Sequence, residues 1–180
     1  MDTDDLPKQN PRRLRRLNSG FIRNEDLRSF LVTLCIQDRK KVLASKGYFE
    51  NLQGFLVDSP SRYGWFPTLF VIMPDHIHLM ANESCQAVRI GDWIKALKSV
   101  TKRKTTTDAN AEWRWQSGFH DHLLRSEKSM EEKVYYLTNN PVRAGLVTIQ
   151  SEWEFGGRIV YPEKDGPVFE TFQGDRVIYP

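Results

Sequence analysis

The sequence predicts an α+β fold, with a central antiparallel sheet and helices packed on it. Three observations lead there. Short runs rich in β-branched and aromatic residues, each bounded by turn residues, recur at 29–36, 65–73 and 76–82. Apolar residues recur at helical spacing through 88–104. The implied order is strand, helix, strand, strand, helix, strand, helix, and short strand-to-strand turns with intervening helices favour an antiparallel or mixed sheet. At 180 residues the chain suits one compact domain.

Residues 1–20 are polar and basic and are expected to form a flexible arm. A folded domain is expected over 21–158, followed by an acidic tail over 159–180. The first strand, 29–36, runs into the polar turn Gln37-Asp38-Arg39. A helix is expected within 40–56, and Asp58 to Gly64 carries loop chemistry around Pro60. The strand at 65–73 has Pro67 near its start or on a sheet edge. Pro74-Asp75 makes a turn into the alternating strand 76–82. In the helix at 88–104, Ile90, Trp93, Ile94, Leu97 and Val100 share a face, and Lys95, Lys98 and Lys102 form an outward ridge on the opposite one. A polar loop at 105–112 leads to a strand at 113–125. Ser129 is expected to cap the next helix, with Glu132 completing a capping box. Pro141 disfavours continuation past Asn139 or Asn140, and Gly145 marks another break. The last 30 residues are expected to form a short hairpin or to wrap the domain.

Composition excludes several classes. No run of 18 or more apolar residues exists, so no transmembrane helix or membrane partner is expected. The N-terminus has no apolar signal segment. Cys35 and Cys85 are the only cysteines, too few for a disulfide scaffold or a multi-cysteine zinc site, and a reduced, cytoplasmic protein is expected. The net charge of +3 is mild, but it is unevenly placed. Lys8, Arg12, Arg13, Arg15 and Arg16 stand together with no acid among them. Arg89, Lys95, Lys98, Lys102, Arg103 and Lys104 face Asp92 alone between Cys85 and Thr105. Such clusters attract phosphate backbones, although a lone charge run is more often a solvated face.

Two histidine pairs carry the sharpest chemistry. His76-Ile77-His78 lies on a predicted strand, where residues two apart share a face, so the two imidazoles form a half-site for a divalent metal. His120-Asp121-His122 has the same spacing, and spacing alone does not choose between the pairs. On the following helix Tyr136 and Asn140 lie four apart on one face, as do Tyr135 and Asn139. A tyrosine nucleophile beside an amide oxygen able to bind metal is a workable constellation. Its hydroxyl is weakly nucleophilic at neutral pH and needs a base or a nearby cation, which the sequence does not identify.

Together these residues resemble the REP-associated tyrosine transposases, within the wider group of HUH single-tyrosine nucleases, named for two histidines flanking a hydrophobic residue. The matching stretches are Val71 to Met80, then Trp115-Gln116, Phe119 to His122 and Arg125, then Tyr136 to Val147. Val32 to Cys35, Asp38-Arg39 and Glu152 to Phe155 also match, so the resemblance spans roughly residues 30 to 158. It implies a ferredoxin-like fold, Tyr136 as nucleophile, and His76, His78 and Asn140 as ligands of Mg²⁺ or Mn²⁺. It also implies a substrate of single-stranded DNA next to a hairpin, nicked and rejoined through a 5′-phosphotyrosine. Lys95, Lys98, Lys102, Arg103 and Lys104 would then track the DNA backbone, and Arg12, Arg13, Arg15 and Arg16 would enter a groove of the hairpin. A hairpin-binding regulator that keeps the fold, a related replication initiator or relaxase, and a histidine-metal hydrolase are the competing readings. Monomer and homodimer both remain open.

Overall fold

The structure is a computed structural model that describes residues 28–105, 112–162 and 166–178. The arginines at 12, 13, 15 and 16 lie outside the described residues. Seven strands form one antiparallel sheet: β1 (Arg28–Cys35), β2 (Trp65–Ile72), β3 (His76–Glu83), β4 (His120–Leu124), β5 (Gly156–Val160), β6 (Val168–Thr171) and β7 (Arg176–Ile178). Four helices accompany them: α1 (Lys46–Tyr63), α2 (Ile90–Thr105), α3 (Glu127–Thr138) and the single turn α4 (Asn140–Arg143). The sheet order is β4-β1-β3-β2-β5-β6-β7. Its first four strands, with α1 and α2 as crossovers, make the expected ferredoxin-like unit, and β5 to β7 extend the sheet from the β2 edge. The expected boundary between 158 and 159 therefore falls inside β5.

Pleating divides the side chains between two faces. Val32 and Leu34 of β1, Ile77, Leu79 and Ala81 of β3, and Phe70 and Ile72 of β2 face α1 and α2, where they join Tyr48, Leu52, Leu56, Trp93, Ile94 and Leu97 in the main core. Trp65 and Trp93 stack there at 4.9 Å with their planes 5° apart. Leu69 and Val71 of β2, Met80 of β3 and Leu124 of β4 face the other way, against Leu137 of α3 and Trp153. β2 is covered on both faces, which is why it reads as a near-continuous apolar run.

Helix α1 runs through the segment expected to be a loop. Pro60 removes one N–H in the last turn, where the loss is tolerable, and packing outweighs local turn chemistry. Buried Ser59 donates to the Phe55 carbonyl at 2.9 Å and accepts from the Trp93 indole N–H at 3.0 Å. Asp58 and Arg62 pair across one turn at 3.2 Å. The helix ends at Gly64, whose φ of 71° is left-handed and whose N–H reaches the Pro60 carbonyl at 3.1 Å.

Strand β4 is shorter than expected. Residues 113–119 leave the ladder after one bridge, Trp115 to Ile36, because Trp113 and Trp115 turn onto Tyr48, at 6.5 and 6.3 Å between ring centroids. The cap of α3 lies three residues before the expected one. The Ser126 hydroxyl accepts from the Ser129 N–H at 3.2 Å, and the Ser129 hydroxyl accepts from the Ser126 N–H at 3.3 Å. Both positions carry serine, so the same box chemistry fits one turn earlier. At the far end α3 stops at Thr138, and Pro141 occupies the first turn of α4, where its missing N–H costs nothing. The C-terminal residues 166–178 form strands of the same sheet, so the hairpin expectation holds in enlarged form.

Candidate active site

Four of the expected site residues, His76, His78, Tyr136 and Asn140, meet on the α3 face of the sheet. A cavity of about 410 Å³ is lined by His76, His78, Tyr136 and Asn140, together with Thr33, Cys35, Arg39, Met73, Arg143 and Ala144. The two histidines come from alternate positions of β3, so both project the same way while Ile77 between them is fully buried in the main core. Tyr136 and Asn140 come from the end of α3 and the start of α4, one turn apart.

Each imidazole is held through Nδ1. His76 Nδ1 donates to Asp75 Oδ1 at 2.6 Å, and the His78 Nδ1 lies 2.9 Å from the Thr33 hydroxyl. The cross-strand register explains both contacts: Thr33 lies opposite His78 and Cys35 opposite His76, while Asp75 sits in the turn just before β3. The rings are 4.8 Å apart and nearly perpendicular, at 86°. With Nδ1 engaged on each, Nε2 is the nitrogen left to meet a ligand. Burial, with a smaller contribution from the neighbouring charge of His76, pushes the His78 imidazole down to about 4. His78 is thus neutral near pH 7, the form that binds metals. Burial alone would raise the Asp75 carboxyl, but its hydrogen bond to His76, the His76 charge and Arg39 carry it below the usual carboxylate range.

The Arg39 guanidinium reaches Asp75 at 3.2 Å. It sits in the single helical turn after β1, where Asp38 and Arg39 both adopt left-handed backbone, with φ of 57° and 53°. Two consecutive non-glycine residues of this kind are uncommon and cost energy, as strained turns beside functional clefts do. The ion pair with Asp75 keeps this cation at the cavity rim. Asp75 sits in the turn expected of it and from there orients His76. Arg39, Thr33 and Arg143 were visible only as members of matching stretches, because their roles depend on contacts 36 or more residues away or on the path of a helix end.

The tyrosines separate clearly. Tyr135 is 66% exposed and does not line the cavity, whereas Tyr136 is 42% exposed and does. The Arg143 guanidinium carbon lies 4.5 Å from the Tyr136 ring centroid and the Lys133 ammonium 5.9 Å from it, both within cation–π range. The Asn139 amide is consumed as a cap, donating to the Tyr135 carbonyl at 2.9 Å. The Asn140 carboxamide has no hydrogen-bond partner among the described residues and faces the cavity.

His120 and His122 share this face of the sheet. Their opposite residues on β1 are Thr33 and Leu31, so β1 separates them from the β3 pair. Both are exposed, and neither lines the cavity.

The lysines of α2 lie over the opposite face of the sheet and do not form one outward row. Lys95 is exposed. Lys98 is half-buried, with its ammonium donating to the carbonyls of Gln116 and Gly118, each at 2.7 Å. Burial holds its pKa below the ordinary lysine value. The Lys102 ammonium lies 5.5 Å from the Trp113 ring centroid. Arg103 and Lys104 belong to the last turn of α2, and their side chains lie outside the described residues. No helix among the described residues is long and apolar enough to cross a membrane.

The chain is 26% identical over 154 residues to a Haemophilus influenzae protein that carries the name of a REP-associated tyrosine transposase, covering 76% of this chain and 86% of that one. It is 27% identical over 116 residues to the REP-associated tyrosine transposase of Escherichia coli K12, covering 61% and 68%. Its fold is similar to that of a solved REP-associated tyrosine transposase bound to a REP hairpin, with a TM-score of 0.61, 20% identity, and coverage of 72% of this chain and 75% of that one. The family model for IS200-like transposases matches residues 28–140, from the first residue of β1 to the asparagine in the cavity. The chain belongs to the IS200-like transposase family.

Proposed function

We propose that this protein nicks and rejoins single-stranded DNA beside a hairpin of the REP type, with Tyr136 as nucleophile. The observation that carries the reading is the single cavity in which Tyr136, His76, His78 and Asn140 meet with two arginines at its rim. The Tyr136 hydroxyl attacks phosphorus, the bond from phosphorus to the 3′-oxygen breaks, and the 5′-phosphate remains on the tyrosine. The phenol proton is lost, and the departing 3′-oxygen gains one. Because the phosphotyrosine keeps the energy of the diester, a 3′-hydroxyl can later rejoin the DNA without a nucleotide cofactor. This suits strand transfer better than hydrolysis.

The donors present fit a divalent cation. His76 and His78 offer Nε2, with Asp75 and Thr33 fixing the rings from behind. The Asn140 carboxamide faces the same space and has no internal partner among the described residues. Mg²⁺ or Mn²⁺ held there would polarise the scissile phosphate and offset its developing charge. Two imidazole donors suit Mn²⁺ better than Mg²⁺. Arg39 supplies fixed positive charge for the phosphate whether or not the metal is bound.

DNA contacts away from the cavity fall to the basic clusters: Lys95 with Lys102, Arg103 and Lys104 on α2, and the arginines at 12, 13, 15 and 16. Since α2 covers the opposite face from Tyr136, a contact there engages the hairpin or flank rather than the scissile phosphate. Lys98, with its ammonium committed to two carbonyls, contributes through the fold more than through DNA. We place the protein in the cytoplasm, where its two free cysteines stay reduced.

The test is direct. The protein is incubated with labelled hairpin DNA bearing a single-stranded flank, with Mg²⁺ or Mn²⁺, and scored for a covalent adduct. A 5′-linked adduct that Tyr136→Phe abolishes is expected, with a loss of more than about a thousandfold. An adduct that survives this substitution would overturn the nucleophile. Hairpin binding without an adduct under any metal would point to a regulator instead.

A further inference from the structure

We propose that Arg143 is a positioning residue for Tyr136, holding the phenol ring in the one orientation that presents its hydroxyl to the cavity. This deepens the proposed function and rests on Tyr136 being the nucleophile. A tyrosine this exposed, at the end of a helix, ordinarily samples more than one rotamer, because little packs against it. Here a guanidinium lies 4.5 Å from the ring centroid, and the two side chains line the cavity together. Arg143 makes no ion pair or side-chain hydrogen bond among the described residues, so no acid or carbonyl there competes with the ring for it. Lys133 reaches the same ring from the preceding turn of α3, at 5.9 Å, so cations approach it from both sides along the chain.

The backbone makes this contact a built one. Arg143 lies seven residues after Tyr136, at the end of the single turn α4, and the chain between them brings both to the cavity. The path between them is fixed. The Arg143 N–H bonds to the Asn139 carbonyl at 2.9 Å, and Pro141 is buried. The turn is then closed by Gly145 at φ 67°, with the Gly145 N–H on the Val142 carbonyl and the Leu146 N–H on the Pro141 carbonyl, each at 2.9 Å. The short helix after the tyrosine therefore returns a cation to the nucleophile. Attack at phosphorus needs the oxygen in line with the leaving group, so a freely rotating ring spends most of its time misaligned. A lysine here would keep the charge but lose the planar guanidinium that packs on a ring.

The experiment uses the full chain and two readouts. The first is the single-turnover rate of adduct formation as a function of hairpin concentration. Arg143→Ala is expected to lower the rate at saturating DNA by about ten- to a hundredfold, with the half-saturating concentration within about threefold of wild type. Arg143→Lys is expected to recover part of the rate. An unchanged saturating rate would overturn the proposal. So would a loss confined to the half-saturating concentration, since that marks a simple phosphate contact. The second readout needs no DNA and no activity. The side-chain couplings of Tyr136 report its χ1 rotamer by NMR: a single rotamer is expected in the wild type and rotamer averaging in Arg143→Ala. Couplings that do not change between the two proteins sink the positioning role. If the wild type forms no adduct with any hairpin while the couplings do change, the proposed function fails and the clamp on the ring stands.

Discussion

Strands β1 and β3 show two surfaces with opposite content. Toward α1 and α2 they present Val32, Leu34, Ile77 and Leu79, all essentially closed to solvent and packed among aromatic rings. Toward α3 they present Thr33, Cys35, His76 and His78 around the cavity. The same eight-residue ladder supplies both, one residue apart. The apolar face fixes the register, and a one-residue slip would carry the histidines into the core. The geometry of the polar face is thus inherited from the packing of the other, and the polar face adds local ties of its own through Asp75 and Thr33.

That comparison can be broken by separating activity from stability. Among substitutions that keep Tyr136, the largest effect is expected for His76→Ala, which should lower adduct formation by about a thousandfold, the scale of a lost electrostatic stabiliser. Its unfolding free energy should stay within about 1 kcal/mol of wild type, measured by urea denaturation; a collapse in stability would mean that the α3 face holds the fold. On the opposite face, Trp93→Ala should cost about 3–5 kcal/mol in the same assay, because it empties a stack against Trp65 and leaves the Ser59 hydroxyl without its indole donor. A loss under about 1 kcal/mol would deny the apolar face its role.

Acid should expose the cost of keeping a histidine in the cavity. His78 takes up a proton at about 4 when folded and near 6.5 when unfolded. As the pH falls the unfolded chain therefore binds the proton first. The His78 contribution is complete above about pH 6.5 and drains away on the path down to about 4, by at most about 3 kcal/mol. Unfolding free energies of wild type and His78→Gln should converge across that window, and parallel curves would remove His78 as the cause. The smallest effects sort the lysines of α2. Lys98→Met should cost about 1–2 kcal/mol of stability by orphaning two carbonyls, with little change in hairpin affinity. Lys95→Ala should weaken hairpin binding a few-fold and leave stability alone, as a fluorescence-anisotropy titration at fixed salt would show.

The sequence made some of this legible and hid the rest for physical reasons. Period two on β3 showed that His76 and His78 share a face, and period three to four on α2 showed which side packs. Spacing left Tyr135 and Tyr136 equivalent, and resemblance chose between them; in the structure Tyr136 is the one turned toward the cavity and Arg143. Four errors share a source. Pro60 inside α1, the cap at Ser126, the short β4 and the turned-in Lys98 each look different locally from what the packing permits. The ties from Thr33 and Arg39 to the histidine pair depend on the pairing of β1 with β3, a register that no local window contains.

The position of β1 has a consequence for how the molecule forms. It is the first strand among the described residues and lies inside the sheet, yet both its neighbours, β3 and β4, come later. The contact from Thr33 to His78 spans 45 residues, and the pairing with β4 closes a longer loop still. Contacts so distant in sequence pay their chain entropy before they return any energy, which slows folding. During synthesis at about 5–20 residues per second, β1 must wait until β3 and then β4 have left the ribosome. Tyr136 and Asn140 follow close behind, so the cavity they line becomes complete within seconds of the strand that closes the far edge of the sheet, and a nascent chain stopped before α3 carries paired histidines with no tyrosine beside them.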